Sequence, residues 1–231
     1  MKKQIVTDIG GVLIPESFSK KTLMQDFEQN GPEFIEKARD LEIDLYDIWG
    51  CPNGVAPLVR KIGVMAGKEK WITEQEAVDY VVQQLMAKNK DPLFLDLMGR
   101  VNLASLKAGK VKVDYYPDVP GALARWCYNG QKVHTYSNGS AGFQEAMFKA
   151  ASCGDLSHHI STYFDTAIIG RKTEADSYKR IAEMIGSSTG EIEYLSDDTG
   201  ELEAACKAGC KVFLVDREDK HKDLPRLTSL I

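Results

Sequence analysis

The chain has 231 residues, 43% apolar and 27% charged, with a net charge of −5, the balance of an ordinary folded protein long enough to bury a substantial core. No cluster of Lys and Arg interleaved with aromatics marks a nucleic-acid surface, and no apolar run is long enough to span a bilayer, so neither nucleic acid nor membrane is an expected partner. Met1-Lys2-Lys3 leads straight into a strand instead of a signal-peptide apolar region, so a cytoplasmic location is expected.

The first stretch, Gln4-Ile5-Val6-Thr7-Asp8-Ile9-Gly10-Gly11, is a short apolar run of β type that ends on a carboxylate followed by a sharp glycine turn. Residues 15 to about 110 then show helical spacing, with helices expected around 17–29, 32–48, 73–88 and 92–107. Gly50-Cys51-Pro52-Asn53-Gly54 reads as a breaker, Thr73 to Glu76 as a capping box, and Asp91-Pro92 as a helix start. The block reads as a helical insert.

From Tyr116 onward, strand and helix alternate. A helix around 118–129 ends at Asn129-Gly130, and the strand 132–136 runs into Ser137-Asn138-Gly139-Ser140 and a helix over about 141–151. A strand near 162–165 precedes Gly170-Arg171-Lys172 and a helix over about 175–185. The strand 192–195 then reaches Ser196-Asp197-Asp198, a helix follows over about 200–208, and 211–215 forms the last strand. This alternation implies right-handed crossovers and a mostly parallel α/β sheet that includes residues 4–7.

Parallel strands share one carboxyl edge, so Asp8, Ser137-Asn138, Lys172 and Asp197 are expected to converge in one crevice. Two carboxylates suit a hard divalent cation, while a Ser hydroxyl, amides at a helix start and a lysine suit a phosphate. Asn138 and Ser140 also read as caps of the helix that follows, and Asp198 as the cap of the next. Trp49, Trp71 and Trp126 read as packing anchors. Five cysteines without Cys-x-x-Cys spacing argue against a disulfide framework or a zinc site, and Cys206 and Cys210 read as small buried residues stacked on one helical face. The four histidines show no ligand spacing. No coiled coil or repeat is visible, which leaves the oligomeric state open with a monomer favoured.

The set Asp8, Ser137, Lys172 and Asp197 with Glu201 resembles the four motifs of the haloacid dehalogenase superfamily from end to end of the chain. Within it, Asp8 to Phe18, Tyr136 to Ser140, Gly170 to Tyr178, Leu195 to Asp197 and Leu106 to Lys110 are most similar to the enolase-phosphatases of methionine salvage. The resemblance implies a Rossmann-like three-layer core over residues 1–14 and 112–231 with an inserted helical cap domain over 15–111. It also implies a phosphatase acting on a small phosphorylated metabolite, the closest candidate being 2,3-diketo-5-methylthiopentyl-1-phosphate, through an aspartyl-phosphate. Asp8 would then be the nucleophile, and Asp8, Asp197 and the carbonyl of Gly10 would hold magnesium. Ser137, Asn138 and Gly139 would bind the phosphate, Lys172 would neutralise it, and Glu201 or Asp198 would act on the metal's outer ligands. Glu16, Ser17 and Lys20 are candidates for substrate contact. One departure stands out: where the superfamily's phosphatases carry an Asp or Glu two past the nucleophile, as acid for the leaving group and base for water, this chain has Gly10. Val12 replaces a common Thr in the same loop. A silent, phosphate-binding protein is therefore the alternative.

Overall fold

The structure is a computed structural model that describes residues 3–49, 54–68, 72–89, 91–221 and 223–230, with backbone alone at 19, 20 and 40–49. The expected breaker at 50–53, Trp71, and the side chains of Trp49 and Lys20 lie outside the described residues. The chain forms two compact units, one of residues 1–18 and 112–231, the other of residues 19–111.

The first strand, β1 (Gln4–Thr7), opens the first unit. The second unit begins with a π-helical turn, Ser19–Leu23, followed by α1 (Met24–Trp49), α2 (Val55–Met65), α3 (Glu74–Met86) and α4 (Pro92–Lys107). Its core gathers Phe27 and Ile35 of α1, Leu58 and Ile62 of α2, Val78 and Val81 of α3, and Phe94 and Leu97 of α4. The reciprocal cap of Thr73 and Glu76 starts α3 and the Asp91 carboxylate starts α4, as the sequence indicates.

Two expectations for this unit need correction. The segments 17–29 and 32–48 are not separate helices, because α1 runs unbroken through Gly31-Pro32. An interior Pro loses one hydrogen bond and costs about 3 kcal/mol, but the fully buried Phe27 and Ile35 on either side hold the helix together through it. A Cβ at Gly31 would sit 2.7 Å from Val78 Cγ2, so the glycine allows the close approach of α3. The helix α2 was not expected at all. Val55, Leu58, Val59 and Ile62 carry its apolar stripe, and Pro57 falls in the first turn, where proline is tolerated.

In the first unit the chain continues through α5 (Val119–Tyr128), β2 (Lys132–Ser137), α6 (Ala141–Lys149), β3 (Ile160–Asp165) and a short α7 (Thr166–Ile169) that the sequence reading missed. It ends with α8 (Ala175–Met184), β4 (Ile192–Ser196), α9 (Thr199–Lys207) and β5 (Lys211–Leu214). All five strands are parallel, in the order β3-β2-β1-β4-β5. Crossovers toward β3 and crossovers toward β5 move in opposite directions, and right-handedness puts their helices on opposite faces. The result is a three-layer α/β unit with β1 at its centre. One face buries Val6, Tyr136, Phe164 and Tyr194 against Tyr178 and Ile181 of α8 and Leu202 and Ala205 of α9. Cys206 is exposed, contrary to expectation, because α9 ends at Lys207 and only Cys210 turns into the core. Trp126 is half-buried. Among the described residues no helix is long and apolar enough to cross a membrane.

Candidate active site

Asp8 follows the last residue of β1, and its amide extends the ladder to Leu195 of β4 at 2.9 Å. The carboxylate is held locally by the amide of Ile9, which donates to Oδ1 at 2.7 Å. Its other oxygen, Oδ2, meets Lys172 Nζ at 2.8 Å, with the lysine side chain only 6% exposed and the aspartate 13%. Both Glu201 oxygens also lie 3.0 Å from the same ammonium. One lysine thus serves two carboxylates in a nearly closed space, where charge is weakly screened.

Lys172 is fixed by its backbone. The Tyr178 hydroxyl donates to the Lys172 carbonyl at 2.7 Å, the Ser177 hydroxyl to the Arg171 carbonyl at 2.8 Å, and the Tyr136 hydroxyl to the Gly170 carbonyl at 2.7 Å. Gly170 needs its freedom here, since it adopts φ +118° and a Cβ would sit 2.9 Å from Ser177 Oγ. Glu201 is fixed too, its Oε2 accepting from the Tyr194 hydroxyl at 2.7 Å and the Ser196 hydroxyl at 2.8 Å. Tyr136, Tyr178 and Tyr194 are all fully buried and pack edge to face, so three rings that look like core also supply donors around the lysine.

Burial sets the protonation balance. Desolvation raises the Asp8 carboxyl to about 6 against the pull of Lys172, with Glu201 adding to the rise. Burial also works against the Lys172 charge, yet the flanking Asp8 and Glu201 carboxylates prevail and raise its pKa.

Ser137 ends β2, and Asn138-Gly139 form the turn before α6, whose first residues are capped by Ser140 through Phe143 N at 3.3 Å. The turn is held from below by Gln144, an unforeseen anchor. Its amide donates to the Gly139 carbonyl at 2.7 Å and the Phe164 carbonyl at 2.8 Å, while its oxygen accepts from Thr135 Oγ1 at 2.5 Å. Every polar atom of this fully buried glutamine is engaged, which gives the turn a rigid footing. Asp165, at the end of β3, bridges the start of α6 and that of α7 through Ala141 N and Ile168 N.

Asp197 follows β4 and lies against the glycine turn after Asp8. Gly11 has φ +74°, and a Cβ there would collide with the Asp197 carboxylate. Burial raises the pKa of Asp197, with Lys220 opposing. Lys220 stands 3.6 Å from Asp197 Oδ2 and 2.7 Å from Glu16 Oε2, and the sequence carried no signal for it. Asp216 builds its loop, accepting from the amides of Lys220 at 2.9 Å and His221 at 2.7 Å. Asp198 caps α9, its Oδ1 accepting from Gly200 N and Glu201 N at 2.7 and 3.1 Å. Gly10 is different from Gly11, because a Cβ there would meet nothing within 4 Å among the described residues beyond its chain neighbours.

Among the described residues no three His, Cys, Asp or Glu side chains gather as a metal cage. The expected set is smaller, two carboxylates and one carbonyl. Asp197 lies against Gly11, Asp8 precedes the same turn in the chain, and both carboxylates are oxygen donors. This chemistry fits a hard divalent cation, which keeps several waters and takes one or two carboxylates.

A parallel sheet with a buried Asp-Lys-Glu cluster at the carboxyl ends of its strands defines a hydrolase of the haloacid dehalogenase type, and the chain belongs to the haloacid dehalogenase-like hydrolases, whose family pattern matches residues 2–209. It is similar to Enolase-phosphatase E1 of Aquifex aeolicus (strain VF5), 31% identical over 99% of this chain and 97% of that protein. Enolase-phosphatase E1 of Stenotrophomonas maltophilia (strain K279a) is 32% identical over 96% of this chain and 90% of its own length. Among solved structures, the Unknown transcript 4 protein of Saccharomyces cerevisiae matches with TM-score 0.69 and 25% identity, covering 94% of this chain and 90% of that one. CbbY from Rhodobacter sphaeroides in complex with phosphate shares the fold, with TM-score 0.60 and 13% identity over 100% and 95% of the two chains.

Proposed function

We propose that this chain is a magnesium-dependent phosphatase of a small phosphorylated metabolite, related in substrate to the enolase-phosphatases, and that Asp8 is its nucleophile. The observation that carries this reading is the buried contact of Lys172 with Asp8 at 2.8 Å. Held there, the ammonium pulls Asp8 toward its ionised form against the burial that opposes it. Attack on phosphorus gives an aspartyl-phosphate that water then cleaves, splitting one displacement into two. As Asp8 gives up charge to the phosphoryl group, Lys172 remains beside both and balances the transition state. Ser137 and the amides of Asn138 and Gly139 take phosphoryl oxygens, the turn being held in place by Gln144. Glu201 orients Lys172, and Asp198 organises the start of α9. Asp8, Asp197 and the Gly10 carbonyl would hold magnesium, which supplies Lewis-acid polarisation and offsets the like charge of nucleophile and phosphate when bound.

Gly10 favours a second reading, a protein that binds phosphate and does not turn it over, because loss of an acid-base group costs about a hundredfold to ten-thousandfold in rate. Hydrolysis of 4-nitrophenyl phosphate with magnesium separates the two. The phosphatase reading expects turnover that Asp8→Asn abolishes. No turnover, with phosphate binding retained, favours the silent protein.

A further inference from the structure

Each of the two carboxylates proposed to hold the cation stands beside a lysine, and the two lysines are held differently. Lys172 is 6% exposed, meets Asp8 at 2.8 Å and has its backbone pinned by the Tyr178 hydroxyl, so it is a fixed part of the site. Lys220 is 37% exposed and stands 3.6 Å from Asp197 Oδ2, beyond hydrogen-bond length. Its hydrogen bond goes to Glu16 Oε2 at 2.7 Å, and Glu218 Oε2 lies 3.5 Å away. The loop beneath does not depend on this side chain. Asp216 holds it through the backbone amides of Lys220 and His221, and Arg217 ties it to the Val12 carbonyl at 3.2 Å and the Asp118 carboxylate at 3.0 Å. The ammonium thus rides on a flexible four-carbon stem above an anchored loop, with a firm partner in Glu16 and a loose one in Asp197.

Building on the reading of Asp197 as a magnesium ligand, we infer that Lys220 is an exchangeable counter-ion of Asp197: it balances that carboxylate when no metal is bound, withdraws to Glu16 when one is, and so sets how tightly the site takes a divalent cation. Asp197 is half-buried, where a carboxylate without a balancing charge is costly. Burial works against its ionised form and Lys220 works for it. The same ammonium opposes a cation on Asp197, because it stands 3.6 Å from the carboxylate, well inside the Debye length of about 8 Å at physiological salt, and is little screened. Glu16 and Glu218 keep the withdrawn ammonium paired, so the exchange strands no charge. Lys220 therefore lowers the metal affinity below what the carboxylates alone would give, and Glu16 acts through Lys220 by drawing it away from Asp197.

The test is cation binding to the full, metal-free chain, without substrate. Manganese takes the same oxygen ligands as magnesium, so its binding is followed by loss of the free-ion EPR signal, and magnesium is measured by competition. Asp197→Asn is expected to weaken binding by about tenfold or more, since ligand charge tunes the affinity of such sites. Lys220→Met is expected to tighten it by about fivefold to fiftyfold, the range of a coupling between neighbouring charged sites. Lys220→Arg keeps the charge and is expected to stay within about threefold of the native protein. Glu16→Gln is expected to weaken binding, because it leaves Lys220 nearer to Asp197. A Lys220→Met protein that binds no tighter than the native one, a Lys220→Arg protein that tightens as far as Lys220→Met, or a Glu16→Gln protein that tightens overturns this inference and leaves the metal reading standing. No binding to the native chain, or binding that Asp197→Asn leaves unchanged, overturns both. Should Lys220→Met fail to fold by circular dichroism, Lys220→Gln carries the same expectation.

Discussion

At the residue scale, the proposed chemistry turns on a single buried lysine. Lys172 is 6% exposed and faces two carboxylates, and removing one partner of such a buried cluster leaves an uncompensated charge. Lys172→Met is expected to lower kcat by about a hundredfold to a thousandfold on the best ester, measured by initial rates. The same variant is expected to lower unfolding free energy by about 3 kcal/mol in urea, because Asp8 and Glu201 would then face each other unpaired. A second residue gives a pH signature away from the site. His134 is 2% exposed, with Nε2 3.1 Å from Gln4 Oε1 and Nδ1 without a hydrogen-bond partner among the described residues, and burial depresses its pKa from 6.5 to about 4. The unfolded chain binds this proton between those values and the folded one does not. Stability is therefore full above pH 6.5 and is lost as pH falls toward 4, by roughly 3 kcal/mol at 1.36 kcal/mol per pH unit. Urea unfolding of the native protein and His134→Phe from pH 7 to 4.5 measures it, and the variant is expected to show the shallower slope.

At the scale of elements, packing overrides local propensity. Pro32 inside α1 lacks a donor for the helix ladder, so Pro32→Ala is expected to stabilise the protein by about 1–3 kcal/mol. Gly31 is the opposite case. A Cβ there would crowd Val78 at 2.7 Å, and Gly31→Ala is expected to cost about 1–3 kcal/mol despite alanine's better helix propensity. A stabilising Gly31→Ala in thermal unfolding would contradict the close α1–α3 packing. These positions also explain what was hard to read in the sequence. A Gly-Pro pair looks like a helix boundary because its local preference is visible, while the burial of Phe27 and Ile35 that carries the helix across it is a property of the assembled core. Likewise, Pro57 and the glycine before α2 hid a four-residue apolar stripe.

For the whole molecule, the alternation after residue 116 was legible because each strand is a short apolar run closed by Gly, Asn or Asp, and parallel topology follows from the helices between them. Topology also predicted that Asp8 and Lys172, distant in sequence, meet at the carboxyl edge, and they do at 2.8 Å. The groups that hold them were not legible. Tyr136, Tyr178 and Tyr194 each read as core aromatics, and only the folded sheet turns their hydroxyls onto Gly170, Lys172 and Glu201. Gln144 reads as an ordinary helix residue until β2 and β3 close on it. Family membership adds the class of reaction, hydrolysis.

The central claim is that Asp8 attacks phosphorus, and trapping the intermediate tests it most directly. Protein quenched during turnover of acetyl phosphate and reduced with borohydride is predicted to carry homoserine in place of aspartate at position 8, identified by peptide mass spectrometry. Turnover that continues with residue 8 unmodified, and at an unchanged rate in Asp8→Asn, would contradict the account.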